Sequence, residues 1–377
     1  MYRRFLVVVV PLIWLTSLMV SAEGLAQDSG NRPRVVASFN ILADVARRVA
    51  GDAADVTSLM PMNTDPHGFM PTPQDLVALA EADAVLIVGA GFEAGLIETI
   101  ENAGENVNIV VASQCVEILP FGVGADAPEP HDGRDAAAHE PARGLAALCA
   151  AHHAEIAALN NGETPERASV EPLGTLYAIE CGGGHEEGAE GGEAHEAGSC
   201  DPHVWTDPRN AMLWALTVRD TLIALDPANA ERYSANAAAY LEALDALADE
   251  MAAMVQTLPV EKRALVTDHE IFGYFANTFG FRIVGLVIPS LSTMAEPSAA
   301  EVAALIDAIR RENVPAIFVN ATISPRLAER IAAETGATVH TLYTHSVTGA
   351  DGPAPTYIDL MRYDTRTIVE ALGGAAQ

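Results

Sequence analysis

Four histidines at widely separated positions carry the chemistry that this sequence can offer. Three have an acidic neighbour, in Asp65-Pro66-His67, Asp201-Pro202-His203 and Asp268-His269; the fourth, His345, stands in Tyr343-Thr344-His345-Ser346. A divalent cation needs several donors converging on one point, and neutral imidazole is the commonest protein ligand for zinc-class ions. Separations of this size rule out a local finger, so the fold must gather the four side chains. The aspartates can orient the imidazoles or offset the cation's charge from behind them. Asp65, Asp201, Asp268 and Glu270 are the candidates for that supporting role.

The elements that must position these residues alternate along the chain. Val35–Phe39, Val56–Met60, Ala84–Val88 and Val107–Ala112 are short apolar, β-like runs. Between them Ile41–Val49, Pro73–Ala82 and Phe92–Glu101 have helical patterning. The scheme repeats later, with strands expected at Ala264–Thr267, Ile283–Val287, Ala316–Val319 and Thr338–Leu342, and helices at Ala299–Arg311, Pro325–Thr335 and Tyr357–Leu372. Ser324-Pro325 reads as a cap followed by proline at the first helical position. Continuous apolar strands alternating with helices predict parallel sheets covered on both faces. Residues 34–121 form a first α/β lobe on this reading, 201–227 complete it, and 259–377 form a second.

Between the lobes, residues 228–258 place Tyr233, Tyr240, Leu244, Leu247, Met251, Met254 and Leu258 at helical spacing, with no Gly or Pro inside. A helix of that length runs about 45 Å and makes a stiff spine. In open parallel sheets ligands bind beyond the carboxyl ends of strands. His67, His269 and His345 each follow an expected strand, and His203 follows the segment 122–200. Two donors then belong to each lobe, with a metal cleft between. His340 falls inside an expected strand, which gives it a structural role.

Segment 122–200 departs from the pattern and reads as an acidic insertion rich in Gly, Ala, Glu and His, with a helix at Ala142–Leu159. His131, His139, His185 and His195 within it make a weak second metal site, and a solvated linker is the competing reading. Cys115, Cys149, Cys181 and Cys200 allow three full pairings, so one or two disulfides are expected with no choice among them. Residues 1–26 combine Arg3 and Arg4 with an apolar run ending in small residues, the pattern of a cleavable secretory signal peptide; an uncleaved anchor shares the same hydropathy. No cysteine follows that run, so a periplasmic protein is expected rather than a lipoprotein. A net charge of -30 argues against nucleic acid and favours a cationic ligand, though acidity also keeps an exported chain soluble.

The ordered motifs resemble one family. Asp65-Pro66-His67 with Pro71-Thr72-Pro73, then Asp201-Pro202-His203-Val204-Trp205-Thr206-Asp207-Pro208, are followed by Thr267-Asp268-His269 with Phe272-Gly273-Tyr274-Phe275. Thr356-Tyr357 and Met361-Arg362-Tyr363 complete the set. Nearly the whole mature chain resembles the periplasmic solute-binding proteins of bacterial zinc and manganese ABC importers, called ZnuA-like or TroA-like. The resemblance implies two α/β lobes joined by a long helix, an ABC permease as partner, a monomer, and His67, His203 and His269 as metal ligands. The family's fourth position is usually aspartate, and here His345 occupies it.

That departure biases the metal. Carboxylate and carbonyl oxygen suit manganese, whereas imidazole suits zinc, copper and nickel. Four imidazoles predict Zn2+; the alternative is that water or Asp351 replaces His345. The expected function is a zinc receptor serving a permease, not an enzyme. A manganese or other divalent-metal receptor and a periplasmic zinc buffer or chaperone share the same site. A zinc hydrolase is disfavoured, because His-Glu-x-x-His is absent and a fourth histidine closes the shell.

Overall fold

Two four-stranded parallel sheets carry the site in the computed structural model, which describes residues 32–102, 107–120, 140–163, 200–290 and 293–375. The leader 1–26, most of the insertion with His131, His139, His185 and His195, and Cys181 lie outside the described residues. In the first sheet β1 (Arg34–Ala37), β2 (Asp55–Ser58), β3 (Ala84–Ile87) and β4 (Ile109–Val111) lie in the order β2-β1-β3-β4. The connecting helices are α1 (Asn40–Ala50), α2 (Pro73–Ala80) and α3 (Ile97–Glu101). α3 is shorter than the Phe92–Glu101 expected. Gly89, Ala90 and Gly91 all have positive φ, and the buried Glu93 carboxylate accepts the N–H groups of Val88 and Gly89, so turns occupy the first part of that segment.

α4 (Glu140–Asn160) belongs to the insertion, and α5 (Pro208–Leu225) and α6 (Ala230–Gln256) follow. The second sheet repeats the first, with β5 (Ala264–Thr267), β6 (Arg282–Leu286), β7 (Ala316–Asn320) and β8 (Thr338–Leu342) in the order β6-β5-β7-β8. Its helices are α7 (Gly273–Phe279), α8 (Ala299–Glu312), α9 (Arg326–Thr335) and α10 (Tyr357–Ala371). β1, β3, β5 and β7 are buried along their whole length or nearly so, which explains their unbroken apolar runs. α9 corrects one expectation: Pro325, not Ser324, stands at its cap position, with helical backbone angles and no side-chain cap bond.

α6 packs against α1 and α5 from the first half and α10 from the second. Its stripe of Tyr233, Tyr240, Leu244, Leu247, Met251 and Met254 is buried as the spacing predicts. Truncating a buried leucine such as Leu244 to alanine costs about 2–5 kcal/mol. The Arg362 guanidinium on α10 donates to Glu250 on α6 at 2.8 Å, reinforcing that contact. One apolar cluster runs from β1 through α5 and α6 to α10, and a smaller one packs Val266, Ile317 and Val319 against Ile309 and Ile331.

α4 is packed rather than loose. The Cys115–Cys149 disulfide fixes it to the end of the first sheet, which selects one of the three full pairings, and Cys200 is disulfide-bonded as well. His152 pairs with Asp220 at 2.8 Å, and the Arg219 guanidinium bridges Asp220 and Glu155 at 2.8 and 2.5 Å. All four side chains are buried between α4 and α5. Removing one partner of such a buried pair costs about 3–5 kcal/mol, because the other charge is left uncompensated.

Candidate metal centre

The ends of four chain segments bring the four histidines to one point. His67 sits in the 3-10 turn Pro66–Gly68 after β2, His269 two residues beyond β5, and His345 three residues beyond β8. His203 starts the 3-10 turn Val204–Thr206, just after the antiparallel bridge between Pro120 and Cys200 returns the chain from the insertion. β5 is where the strand order of the second sheet reverses, the place where open α/β sheets form a crevice.

One nitrogen from each imidazole lies within 4.8 Å of all the others, and no carboxylate belongs to that group among the described residues. The six distances between ring centroids run from 4.9 Å for His269–His345 to 5.8 Å for His67–His203. Nearly equal separations are the signature of a tetrahedron. Four nitrogens about 2.0–2.1 Å from a tetrahedral ion would set ring centroids about 5.2 Å apart, within the observed spread. Asp351, the alternative fourth donor, is exposed and stands outside the group.

The nitrogens that converge are buried and have no hydrogen-bond partner: Nε2 of His67, His203 and His269, and one nitrogen of His345, whose other ring nitrogen is equally unpaired. Leaving a buried polar group unpaired costs about 1–3 kcal/mol, so four together call for a ligand that accepts lone pairs. Burial, reinforced by positive charge on neighbouring imidazoles, lowers His67 to about 4 and holds His203 and His345 well below the usual histidine range. Neutral rings with free lone pairs are what a divalent cation requires. Phe39, Phe92, Trp205 and Trp214 form an aromatic floor, with Trp205 5.3 Å from the His203 ring, which keeps water away.

The carboxylates behind the rings divide into two roles. Asp201 Oδ1 accepts from both the backbone N–H and Nδ1 of His203, at 3.0 and 2.8 Å. Asp268 Oδ1 does the same for His269, at 2.8 Å each, and its Oδ2 accepts the Asn320 N–H at 2.6 Å. Accepting from Nδ1–H in this way holds the proton on Nδ1 and leaves each Nε2 with a free lone pair. Burial pushes Asp201 well above the usual carboxylate range, with the Glu270 charge adding to the effect; a cation at the imidazoles would favour its ionised form. Glu270 is buried beside this pair rather than among the converging atoms.

Asp65 supports His67 through the backbone. Its Oδ1 accepts the backbone N–H of His67 at 3.1 Å and its Oδ2 the hydroxyl of Thr293 at 2.5 Å, so it braces the turn and not the ring. His340 remains on β8, where it meets Thr338 Oγ1 at 2.7 Å and stacks near Phe318, consistent with a structural role.

Sequence reasoning missed the groups that fasten these loops across the cleft. The Trp205 indole donates to the Thr344 carbonyl at 2.9 Å, and the Tyr357 hydroxyl donates to the Trp205 carbonyl at 2.6 Å. Asn40 Oδ1 accepts the Val347 N–H, and Ser346 Oγ accepts the Asn63 N–H, both at 2.9 Å. The Tyr274 hydroxyl accepts from Leu119 N–H and donates to the Asp201 carbonyl, each at 3.0 Å. Gly273 lies so close to Asp201 that a Cβ there would stand 2.2 Å from Oδ2.

A family model described as zinc-uptake complex component A, periplasmic (ZnuA), matches residues 35–371. The chain belongs to the ZnuA family. This family comprises periplasmic divalent-metal solute-binding proteins that deliver ions to ABC permeases; they are transport receptors rather than enzymes. ZnuA-family relatives include the iron-binding protein YfeA of Yersinia pestis, 28% identical over 95% of this chain and 92% of that protein. The manganese-binding lipoprotein MntA of Halalkalibacterium halodurans is 26% identical over 92% of this chain and 90% of that protein. Among solved structures, the periplasmic zinc-binding protein TroA of Treponema pallidum superposes with a TM-score of 0.67 at 22% identity, covering 91% of this chain and 99% of that one. The two-sheet α/β fold expected from sequence is therefore the fold of TroA-type binding proteins.

Proposed function

We propose that this ZnuA-family receptor binds zinc, through His67, His203, His269 and His345, and hands it to an ABC permease. One observation supports zinc most strongly: the four converging donors are all imidazole nitrogens, with carboxylates confined to the layer behind them. An all-nitrogen set suits zinc, while manganese is better served by carboxylate oxygen. The named relatives that bind manganese or iron make a second divalent metal the competing reading, and it concerns the same site. A cleavable leader and the absence of a cysteine after its apolar run favour release into the periplasm over lipid anchoring.

The receptor role asks three things of the residues. The rings must be neutral, and burial ensures this for His67, His203 and His345. They must be held in place before the ion arrives, and Asp201 and Asp268 do this for two of them. The site must still open for transfer, and His67 is the one ligand of the four that is not fully buried.

Competition titration of zinc against manganese, in wild type and His345→Asp, tests the assignment. Zinc preference in the wild type, reduced in the aspartate variant with manganese affinity gained, is the expected result. Manganese preference in the wild type would overturn the choice of zinc. Equal affinities in the two proteins would remove His345 from the site.

A further inference from the structure

We propose that Thr293, a residue with no role in the sequence reading, positions His67 through Asp65 and thereby sets how long the metal stays bound. The inference rests on the metal site proposed above. Its basis is a relay across the cleft. The Thr293 hydroxyl, in the segment between β6 and α8, donates to Asp65 Oδ2 at 2.5 Å. Asp65 Oδ1 accepts the His67 backbone N–H at 3.1 Å and caps the 3-10 turn that carries the imidazole.

The place of this relay gives it its effect. His203 and His269 are 0% exposed and His345 is 1% exposed, so an ion cannot leave past them. His67 is the least buried of the four, on a turn whose own backbone bonds are long, Gly68 N–H to the Asp65 carbonyl at 3.3 Å and Phe69 N–H to the Pro66 carbonyl at 3.4 Å. A turn with such sparse internal bonding is the segment that moves first. Thr293 ties it to the opposite side, and the Met294 sulfur lies over Gly68, where a Cβ would meet it at 3.3 Å. Two consecutive residues of one segment thus cover the turn that carries the least buried of the four histidines. Breaking the relay frees His67 to swing outward while leaving the other three rings, and the aspartates behind His203 and His269, untouched.

Zinc-loaded protein mixed with excess chelator in a stopped-flow instrument reads the dissociation rate directly. Thr293→Val keeps the shape and removes the donor, and should accelerate dissociation about 10- to 100-fold, the usual range for groups behind metal ligands. Thr293→Ser should restore the slow rate, and the unfolding midpoint of the metal-free protein should be unchanged in both. Thr293→Val added to Asp65→Ala should have no further effect, because the two act in one relay. Unaltered dissociation in Thr293→Val, with wild type binding one zinc normally, would overturn the relay. A full additive effect in the double variant would overturn it equally. Failure of wild type to bind zinc at all would instead overturn the reading of the site.

Discussion

Asp268→Asn exposes the logic of the site with a change of one atom. The wild-type carboxylate accepts three N–H groups, two from His269 through Oδ1 and one from Asn320 through Oδ2. An asparagine has one accepting oxygen and one donating NH2. If its oxygen faces His269, its NH2 confronts the buried Asn320 N–H; if it turns over, it confronts both donors of His269. Either way a buried donor loses its partner, at a cost of about 1–3 kcal/mol to the metal-free fold. Zinc binding suffers separately, because the His269 ring is no longer held with Nε2 bare. That loss should be about 10- to 100-fold in affinity, or about 1.4–2.7 kcal/mol. Urea unfolding of the metal-free protein measures the first effect and chelator competition the second. Wild-type zinc affinity in a properly folded Asp268→Asn protein would refute the claim that this carboxylate organises the ligand.

Three further outcomes follow from other contacts. Gly273→Ala should weaken zinc binding and destabilise the fold by about 1–3 kcal/mol, since its Cβ would drive Asp201 away from His203; unaltered values in titration and urea melts would contradict this. Cys149→Ser should lower stability by about 4 kcal/mol through the 34-residue separation it uncouples, while zinc stoichiometry stays the same in metal analysis. Burial raises Asp364 to about 8, so the folded state keeps a proton that the unfolded chain loses near its ordinary value of 3.8. The stability difference between wild type and Asp364→Asn should therefore shift against wild type as pH rises from about 4 towards 8, by up to about 1.4 kcal/mol per pH unit in urea melts; a constant difference would show that the carboxyl is not perturbed.

The convergence of His67, His203 and His269 was legible because their signals are local, whereas His345 has no acidic neighbour and was placed by its position in the family's motif order. Asp201 and Asp268 lie within two residues of the histidines they orient, so a short motif contains both partners. Asp65 carries the same motif, yet its second oxygen is committed to Thr293, 228 residues away, and no spacing rule reaches that far. The central strands β1, β3, β5 and β7 were legible because buried parallel strands are continuous apolar runs. α5 was not assigned, because it is buried on nearly every side and so lacks the one-sided stripe that marks a surface helix. Its Arg219 and Asp220 look like surface charges in sequence, and become core residues only because α4 supplies His152 and Glu155 opposite them. The packing of α4 itself depends on which cysteines pair, and composition does not encode that choice.

The central claim is that four imidazoles hold one divalent ion. X-ray absorption spectroscopy on the zinc-loaded protein, with zinc content measured on the same sample, tests it most directly. One zinc per chain, surrounded by four nitrogen scatterers at about 2.0–2.1 Å with the outer-shell signal of four imidazole rings, is the predicted result. An oxygen-rich shell, or a shell that still shows four imidazoles after His345→Ala, would contradict the account.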